Sequence, residues 1–289
     1  MRFVTMGDGK YFRTVLLSIR QSARFYPGRR FLLYDWGFDG AQLSRLRVEP
    51  GVEIRQWRDR LVDAGRIVPP RSAVRTFVKK HLFRDPDLRI PRAQWQKELL
   101  LDEKCYCLLD AACRLDGPFL FLDADAFLVN RVDDLHDPET DVVVTLRPQH
   151  EIEAARRRGS VGDLNSGVIG FGGDREKNLA FITEWIKEMH MLNLRRHLLS
   201  EQTALARLLL RADPDAFRQS ERRVDLKFGG FDIRCRIVPT TMYNYNAVER
   251  GFDPETNRIL HLKSGRGFSP ALDRVEAELA RIEAGRDGA

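Results

Sequence analysis

Phe119-Leu120-Phe121-Leu122-Asp123-Ala124-Asp125-Ala126-Phe127 is the stretch on which the reading of this chain turns. Four apolar residues run directly into two acids spaced one residue apart. A short, uninterrupted apolar run of this kind predicts a strand buried on both faces, here over 119–125. In an open parallel sheet, ligands bind just beyond the carboxyl ends of the strands, which is where Asp123 and Asp125 then fall. Two neighbouring carboxylates repel, and burying them is costly unless a cation compensates. A divalent metal with oxygen ligands and a phosphate-bearing partner supplies that compensation. D-x-D is a short pattern, and its plain structural alternative is one Asp capping a turn while the other is solvated. The apolar lead favours the metal.

Outward from this stretch, strands and helices alternate. Residues 2–6, 31–35 and 52–57 predict strands, separated by helices at 12–25 and 40–47. In the first helix Val15, Leu16, Ile19 and Ala23 recur at helical spacing. Residues 94–114 predict a helix with Leu99, Leu100 and Leu108 toward the core. Strands follow at 141–146, 165–171, 234–239 and 258–263, with helices after Asp174 and over 200–212. Residues 148–163 read as a polar connection. Ser269 and Pro270 predict the start of a last helix with the stripe Leu272, Val275, Leu279 and Ile282. This alternation predicts an α/β fold: one Rossmann-like domain with a mostly parallel, twisted sheet flanked by helices. The expected organisation is a domain over 1–268 and a C-terminal helix and tail over 269–289.

Composition narrows the function classes. Lys and Arg number 48 against 42 Asp and Glu. The stretch Arg66–Arg92 alone holds eight basic residues and only Asp85 and Asp87 as acids, so it carries the whole excess. The rest is balanced, which argues against general nucleic-acid binding. The basic excursion over 64–93, broken by Pro69, Pro70, Pro86 and Pro91, reads as a lid or acceptor region or a contact for an anionic membrane surface. Cys105, Cys107, Cys113 and Cys235 form no C-x-x-C pair and read as reduced thiols. No apolar run reaches the ~18 residues of a membrane helix, and none near the N-terminus resembles a signal peptide. The expectation is a cytoplasmic protein, peripheral at the inner face of the membrane if the basic segment docks there.

Six ordered pieces of the chain resemble the nucleotide-diphospho-sugar glycosyltransferases of the GT-A fold. The resemblance is to the family-8 type, which includes glycogenin and bacterial lipopolysaccharide galactosyltransferases. The pieces are Asp8-Gly9-Lys10-Tyr11 after the first strand, Lys104, the D-x-D stretch, Asn165-Ser166-Gly167-Val168, Glu201-Gln202, and His261 in Ile259-Leu-His-Leu-Lys-Ser-Gly-Arg-Gly267. The resemblance implies transfer of a hexose from a nucleotide-sugar, a UDP-sugar in that family, to an acceptor hydroxyl on a glycan or lipid-linked acceptor. It further implies a role in bacterial surface glycan synthesis and retention of anomeric configuration. The metal set it implies is Asp123, Asp125 and His261, holding Mn²⁺ or Mg²⁺, with the imidazole favouring Mn²⁺. The donor-binding set it implies is Thr5, Gly7, Asp8, Tyr11, Lys104, Asp123, Ala124, Asp125, Asn165, Ser166, Lys263, Gly265 and Arg266. Asp8 and Tyr11 would take the base and Lys104 the diphosphate. Asn165, Glu201 and Gln202 would stand at the reaction centre. The chain departs from the family at Cys105, where proline is usual, and at its end, where no Lys-Pro follows Gly265. Lys263 or Arg266 would take over that phosphate contact. For an inverting reaction the base would be Asp163, Glu201 or Asp232.

Two other readings remain. A haloacid-dehalogenase-type phosphohydrolase also places D-x-D after an apolar strand, with Asp174 after VIGFGG as its second acid. It is disfavoured by Phe127, where Thr or Val is usual, and by the long stretch that precedes the motif. A non-catalytic nucleotide-sugar-binding scaffold would use the same fold with the basic segment as its docking surface. A nucleotidylyltransferase is disfavoured because GDGKY is too short for a triphosphate loop.

Overall fold

A computed structural model describes residues 1–57, 92–157, 163–194, 200–219, 221–247, 251–262 and 268–287. The strands are β1 (Arg2–Asp8), β2 (Arg30–Gly37), β3 (Val52–Gln56), β4 (Phe119–Leu122), β5 (Ala126–Leu128), β6 (Val142–Leu146), β7 (Leu164–Phe171), β8 (Arg222–Phe228), β9 (Phe231–Pro239), β10 (Tyr245–Asn246) and β11 (Ile259–His261). The helices are α1 (Phe12–Phe25), α2 (Gly40–Arg47), α3 (Arg92–Arg114), α4 (Gln149–Arg157), α5 (Arg175–Leu194), α6 (Ser200–Ala212), α7 (Thr240–Tyr243) and α8 (Phe268–Asp287).

The main sheet has eight strands in the order β3-β2-β1-β4-β7-β6-β9-β8. The β3-β2, β2-β1, β1-β4 and β6-β9 ladders are parallel, and β7 is antiparallel to both of its neighbours. A small second sheet, β10-β11-β5, sits beside it. The expected α/β architecture is therefore present, and β7 and the β8-β9 hairpin account for the antiparallel share.

The central strands are apolar on both faces, and their parity sorts the core. Val4 and Met6 of β1, Leu32 and Tyr34 of β2, and Phe119 and Phe121 of β4 enter one cluster with the buried residues of α3, α5 and α6. Phe3, Phe31, Leu33, Leu120 and Leu122 enter the opposite cluster with Val15, Leu16 and Ile19 of α1. Strands sandwiched in this way need no polar face, which is why they read as continuous apolar runs. The third cluster joins Leu272, Val275 and Leu279 of α8 to Phe127, Leu260 and Leu262. The last helix thus packs its apolar stripe on the second sheet, and Arg13 of α1 ties it down through Asp273 and Glu276 at 2.7 and 2.6 Å. None of the described helices is long and apolar enough to cross a membrane.

Several expectations need correction. The strand predicted over 119–125 ends at Leu122, and the two acids lie in the turn beyond it. The polar connection contains α4, anchored by buried Ile152. α8 begins at Phe268, one residue ahead of the expected Ser269 cap. The three-residue β5, the edge strand β8, α7 and β10 had no expectation at all. The basic excursion lies outside the described residues, apart from the backbone start of α3.

Candidate metal and donor site

Three backbone devices bring the site together at the carboxyl end of β4. The chain leaves β4 at Asp123, whose N–H donates to the carbonyl of Gly167 on β7 at 2.8 Å. It then turns, with the Ala126 N–H donating to the Asp123 carbonyl at 2.9 Å, and re-enters extended structure as β5. β5 pairs antiparallel with β11, placing His261 opposite Ala126, and the Leu262 N–H donates to the Asp125 carbonyl at 2.8 Å. A histidine remote in sequence is thereby set beside the D-x-D turn by main-chain register.

The side chains converge accordingly. His261 Nε2 lies 3.0 Å from Asp125 Oδ1 and 3.9 Å from Asp123 Oδ2. One ligand atom from each of the three residues can be chosen so that all lie within 4.8 Å of one another. Asp125 and His261 are buried, at 8% and 6% exposure. The other ring nitrogen of His261, Nδ1, lies 2.7 Å from Asn244 Oδ1. Two carboxylates and one imidazole form a donor set that suits Mn²⁺ or Mg²⁺, the nitrogen favouring the former.

β7 makes room for this cluster. Between Val144 and Thr145 of β6, its partner residues on β7 jump from Ile169 to Asn165, so Ser166, Gly167 and Val168 form a bulge in that ladder. The bulge is held by Asn165, whose Oδ1 accepts from the Gly167 N–H at 3.0 Å. A Cβ on Gly167 would stand 2.5 Å from His261 Cε1 and 3.0 Å from Asp123 Oδ2. Glycine at this position is what lets the imidazole lie against the strand.

Beneath the acids lies a buried ammonium. Lys104 Nζ, on α3, is 2.8 Å from Asp123 Oδ1, 3.5 Å from Glu201 Oε1 and 3.2 Å from both the hydroxyl and the carbonyl oxygen of Ser166. The Ser166 hydroxyl donates to Glu201 Oε1 at 2.8 Å. Lys104 is 1% exposed and Glu201 fully buried. Burial alone would lower the lysine's pKa, but Asp123 and Glu201 outweigh it, so the net shift is upward and the group stays charged. One oxygen of Asp123 is thus held by Lys104 while the other faces His261.

The remaining expected residues are dispersed around this centre. Asp8 caps the turn Gly9–Tyr11, accepting from the Lys10 N–H at 3.0 Å, and Tyr11 is half-buried with Lys10 Nζ 5.2 Å from its ring centroid. Gly7 abuts the D-x-D turn, since a Cβ there would meet that of Ala124 at 3.3 Å. Thr5 is buried in β1, and its hydroxyl has no hydrogen-bond partner among the described residues. Gln202 Oε1 accepts from Arg147 at 3.4 Å. Lys263, Gly265 and Arg266 lie outside the described residues. Asp163 is buried, its carbonyl accepting from the Arg147 N–H at 2.9 Å. Asp232, one of the three candidate bases, lies on β9 ahead of Cys235, which pairs with the start of β6. It is exposed at the opposite end of the sheet from Asp123, so it cannot serve this site. Asp174, the second acid of the phosphohydrolase reading, is likewise remote. Because β7 runs antiparallel to β4, the end of β7 meets the start of β4, and Asp174 caps α5 there through the Lys177 N–H at 3.1 Å.

Asn244, Thr145 and Gly167 had no assigned role in the sequence reading. Gly167 had a signal, as the glycine of the Asn-Ser-Gly piece; Asn244 and Thr145 reach the site only through tertiary packing.

No protein-family model matches the chain, and no curated protein matches its sequence. Solved structures do match. A structure of the galactosyltransferase LgtC with donor and acceptor sugar analogs is similar at 14% identity and a TM-score of 0.51, covering 98% of this chain and 96% of that one. An active-site mutant of LgtC is similar at 13% identity and 0.45, covering 98% and 96%; the bifunctional glycosyltransferase WbbM is similar at 11% and 0.49, covering 92% of this chain and 46% of that one. At such identities the likeness speaks to fold. The layered mixed sheet and the first of these matches together give the conclusion that this chain has the GT-A glycosyltransferase fold.

Proposed function

We propose that this protein is a metal-dependent glycosyltransferase that moves a hexose from a nucleoside-diphosphate sugar to an acceptor hydroxyl. The observation that carries the reading is the convergence of Asp123, Asp125 and His261, separated in sequence, at a strand end of a GT-A fold. In this reading those three residues hold Mn²⁺ or Mg²⁺. Once bound, the ion supplies neutralisation of the charge that develops on the departing diphosphate.

The chain's own groups have complementary tasks. Lys104 adds a buried positive charge that orients Asp123 and Glu201 and balances part of their charge. Lys263 and Arg266, outside the described residues, are the cations proposed for the diphosphate, where preorganised positive charge counts most. Asp8 and Tyr11 take the base, with the backbone of Thr5, Gly7 and Ala124 lining the donor cleft. Asn165, Ser166, Glu201 and Gln202 line the sugar side. UDP is the proposed nucleotide, and a glycan or lipid-linked acceptor of a bacterial surface polymer the proposed acceptor, with the excursion over 64–93 as lid or acceptor contact. The organisation proposed is a catalytic domain over 1–268 with 269–289 as an appended helix and tail.

A panel of nucleotide-sugars scanned for thermal stabilisation and metal-dependent turnover tests the reading. The true donor stabilises the fold in proportion to the logarithm of its concentration over its affinity. One UDP-sugar should stand out, and only with Mn²⁺ or Mg²⁺ present. Binding without transfer or hydrolysis under any divalent metal would favour the scaffold reading. Phosphate release from a phosphomonoester alone would favour a phosphohydrolase.

A further inference from the structure

We infer that Asn244 is a positioning residue that fixes the tautomer of His261, so that the imidazole offers a bare Nε2 to a cation; this rests on the metal site proposed above. The argument is one of donors and acceptors. Thr145 Oγ donates its only proton to the carbonyl of Asn165 at 2.6 Å, so toward any other group it can only accept. The Asn165 carbonyl is an acceptor as well. The side-chain amide of Asn244 approaches both, at 2.9 Å from Thr145 Oγ and 3.3 Å from the Asn165 carbonyl. The amide atom that meets two acceptors must be the –NH₂ group. Its oxygen is therefore turned to His261, 2.7 Å from Nδ1.

An amide oxygen cannot donate, so Nδ1 carries the proton. In a neutral imidazole the lone pair is then on Nε2, the atom that lies 3.0 Å from Asp125 and 3.9 Å from Asp123. Asn244 is fully buried and Thr145 is 1% exposed, so these side chains satisfy one another away from bulk solvent. Asn165 joins the same network twice. Its carbonyl accepts from Thr145 and Asn244, while its side chain holds the Gly167 bulge on which the imidazole rests. Ligand orientation through the second ring nitrogen is a recognised determinant of metal affinity, and its loss typically weakens binding by about 10–100-fold.

The test has two arms. Long-range ¹H–¹⁵N correlation on Mg²⁺-saturated, ¹⁵N-histidine-labelled wild type, with His261 assigned through His261→Gln, reads the tautomer directly, the ion standing where the Asp125 carboxylate would otherwise call for a proton on Nε2. The Nδ1–H form is expected, and an Nε2–H form overturns the inference. Titration with Mn²⁺ alone, followed by the free-ion EPR signal, compares wild type with Asn244→Leu and Asn244→Asp. The leucine variant should bind about 10–100-fold more weakly. The aspartate variant keeps an acceptor for Nδ1–H but sets a carboxylate oxygen against Thr145 Oγ and the Asn165 carbonyl, so it should fold less stably than wild type yet bind Mn²⁺ more tightly than the leucine variant. Unchanged affinity in the leucine variant overturns the inference. Should that variant not fold, the wild-type tautomer and the aspartate variant still decide. Failure of wild type to bind Mn²⁺ would sink the metal site itself, whereas binding by wild type with unchanged affinity in the leucine variant would sink only the role of Asn244.

Discussion

A side chain on Gly167 and the imidazole of His261 cannot coexist as the two residues now stand: a Cβ there would lie 2.5 Å from Cε1 and 2.7 Å from Nδ1 of the ring. Gly167→Ala should therefore displace His261 rather than the strand, because Gly167 is tied to the Asp123 N–H. Overpacking of this kind costs about 1–3 kcal/mol of stability. The larger effect should be on the cation, with Mn²⁺ affinity falling at least about 10-fold, as for loss of a ligand's orientation. Calorimetric titration of Mn²⁺ checks it, and unchanged affinity would mean that the imidazole is not a ligand.

Lys104 is a buried ammonium that faces Asp123 and Glu201. Lys104→Met takes the buried cation away from those carboxylates, and breaking a buried pair on one side costs about 3–5 kcal/mol. Urea unfolding should show that loss, and added Mn²⁺ should return part of it by neutralising Asp123. The lysine's folded-state pKa is raised above its ordinary 10.5. Its stabilisation is thus fully present below that pH and is lost only as pH rises through the folded-state value. A Lys104→Met loss that is constant across neutral pH is the expected signature.

His136 gives the acid side of the stability profile. Burial pushes its pKa from 6.5 down to about 4. The unfolded chain then binds a proton at a pH where the folded chain does not. This group's contribution is full above about pH 6.5 and is lost as pH falls toward 4. His136→Gln should flatten the decline in unfolding free energy across that window, measured by urea titration at several pH values. An unchanged acid limb would assign the decline to other groups.

The helix α8 bears on the site although it carries no site residue. Leu272 is 1% exposed and packs in the cluster that includes Phe127 and Leu260, which flank Asp125 and His261 in sequence. Leu272→Ala should cost about 2–5 kcal/mol. Because the same cluster backs the β5-β11 ladder, Mn²⁺ affinity should weaken with it. Hydrogen exchange at the Leu262 and Val129 amides reports whether the ladder loosens; full protection there would separate α8 from the site.

How much of this was legible beforehand follows from where each signal resides. The D-x-D turn could be read because four apolar residues and two acids are adjacent, and adjacency is all that a buried strand with a polar tip requires. α1 and the α8 stripe could be read from period and capping. β5 could not, since three residues, Ala126–Leu128, are too few to carry a period. His261 stood out only through the resemblance; its approach to Asp125 depends on the register between β11 and β5. Lys104 was expected at the diphosphate; the structure holds it, buried, against Asp123 Oδ1, a depth that spacing along a helix does not encode. Asn244 was silent because its role lies wholly in the partners that Thr145 and Asn165 impose on its amide. The misplacement of Asp174 comes from the unanticipated antiparallel direction of β7, whereas Asp232 is remote because it stands at the amino end of β9, a strand that runs in the same direction as β4.

Turnover should follow the same geometry. Asp125→Ala removes the carboxylate nearest His261 and should lower metal-dependent transfer by at least about 100-fold, comparable to loss of one preorganised electrostatic contact. Thermal unfolding of the variant distinguishes this from misfolding. Wild-type-like turnover with the same metal would detach catalysis from the cluster.

The most direct measurement is the anomalous scattering of Mn²⁺ in crystals of the wild-type protein grown with a UDP-sugar. The account predicts a single strong peak within about 2.5 Å of Asp123, Asp125 and His261 Nε2, also touching the diphosphate. A peak elsewhere, or a bound nucleotide with no ion between it and these residues, would contradict it.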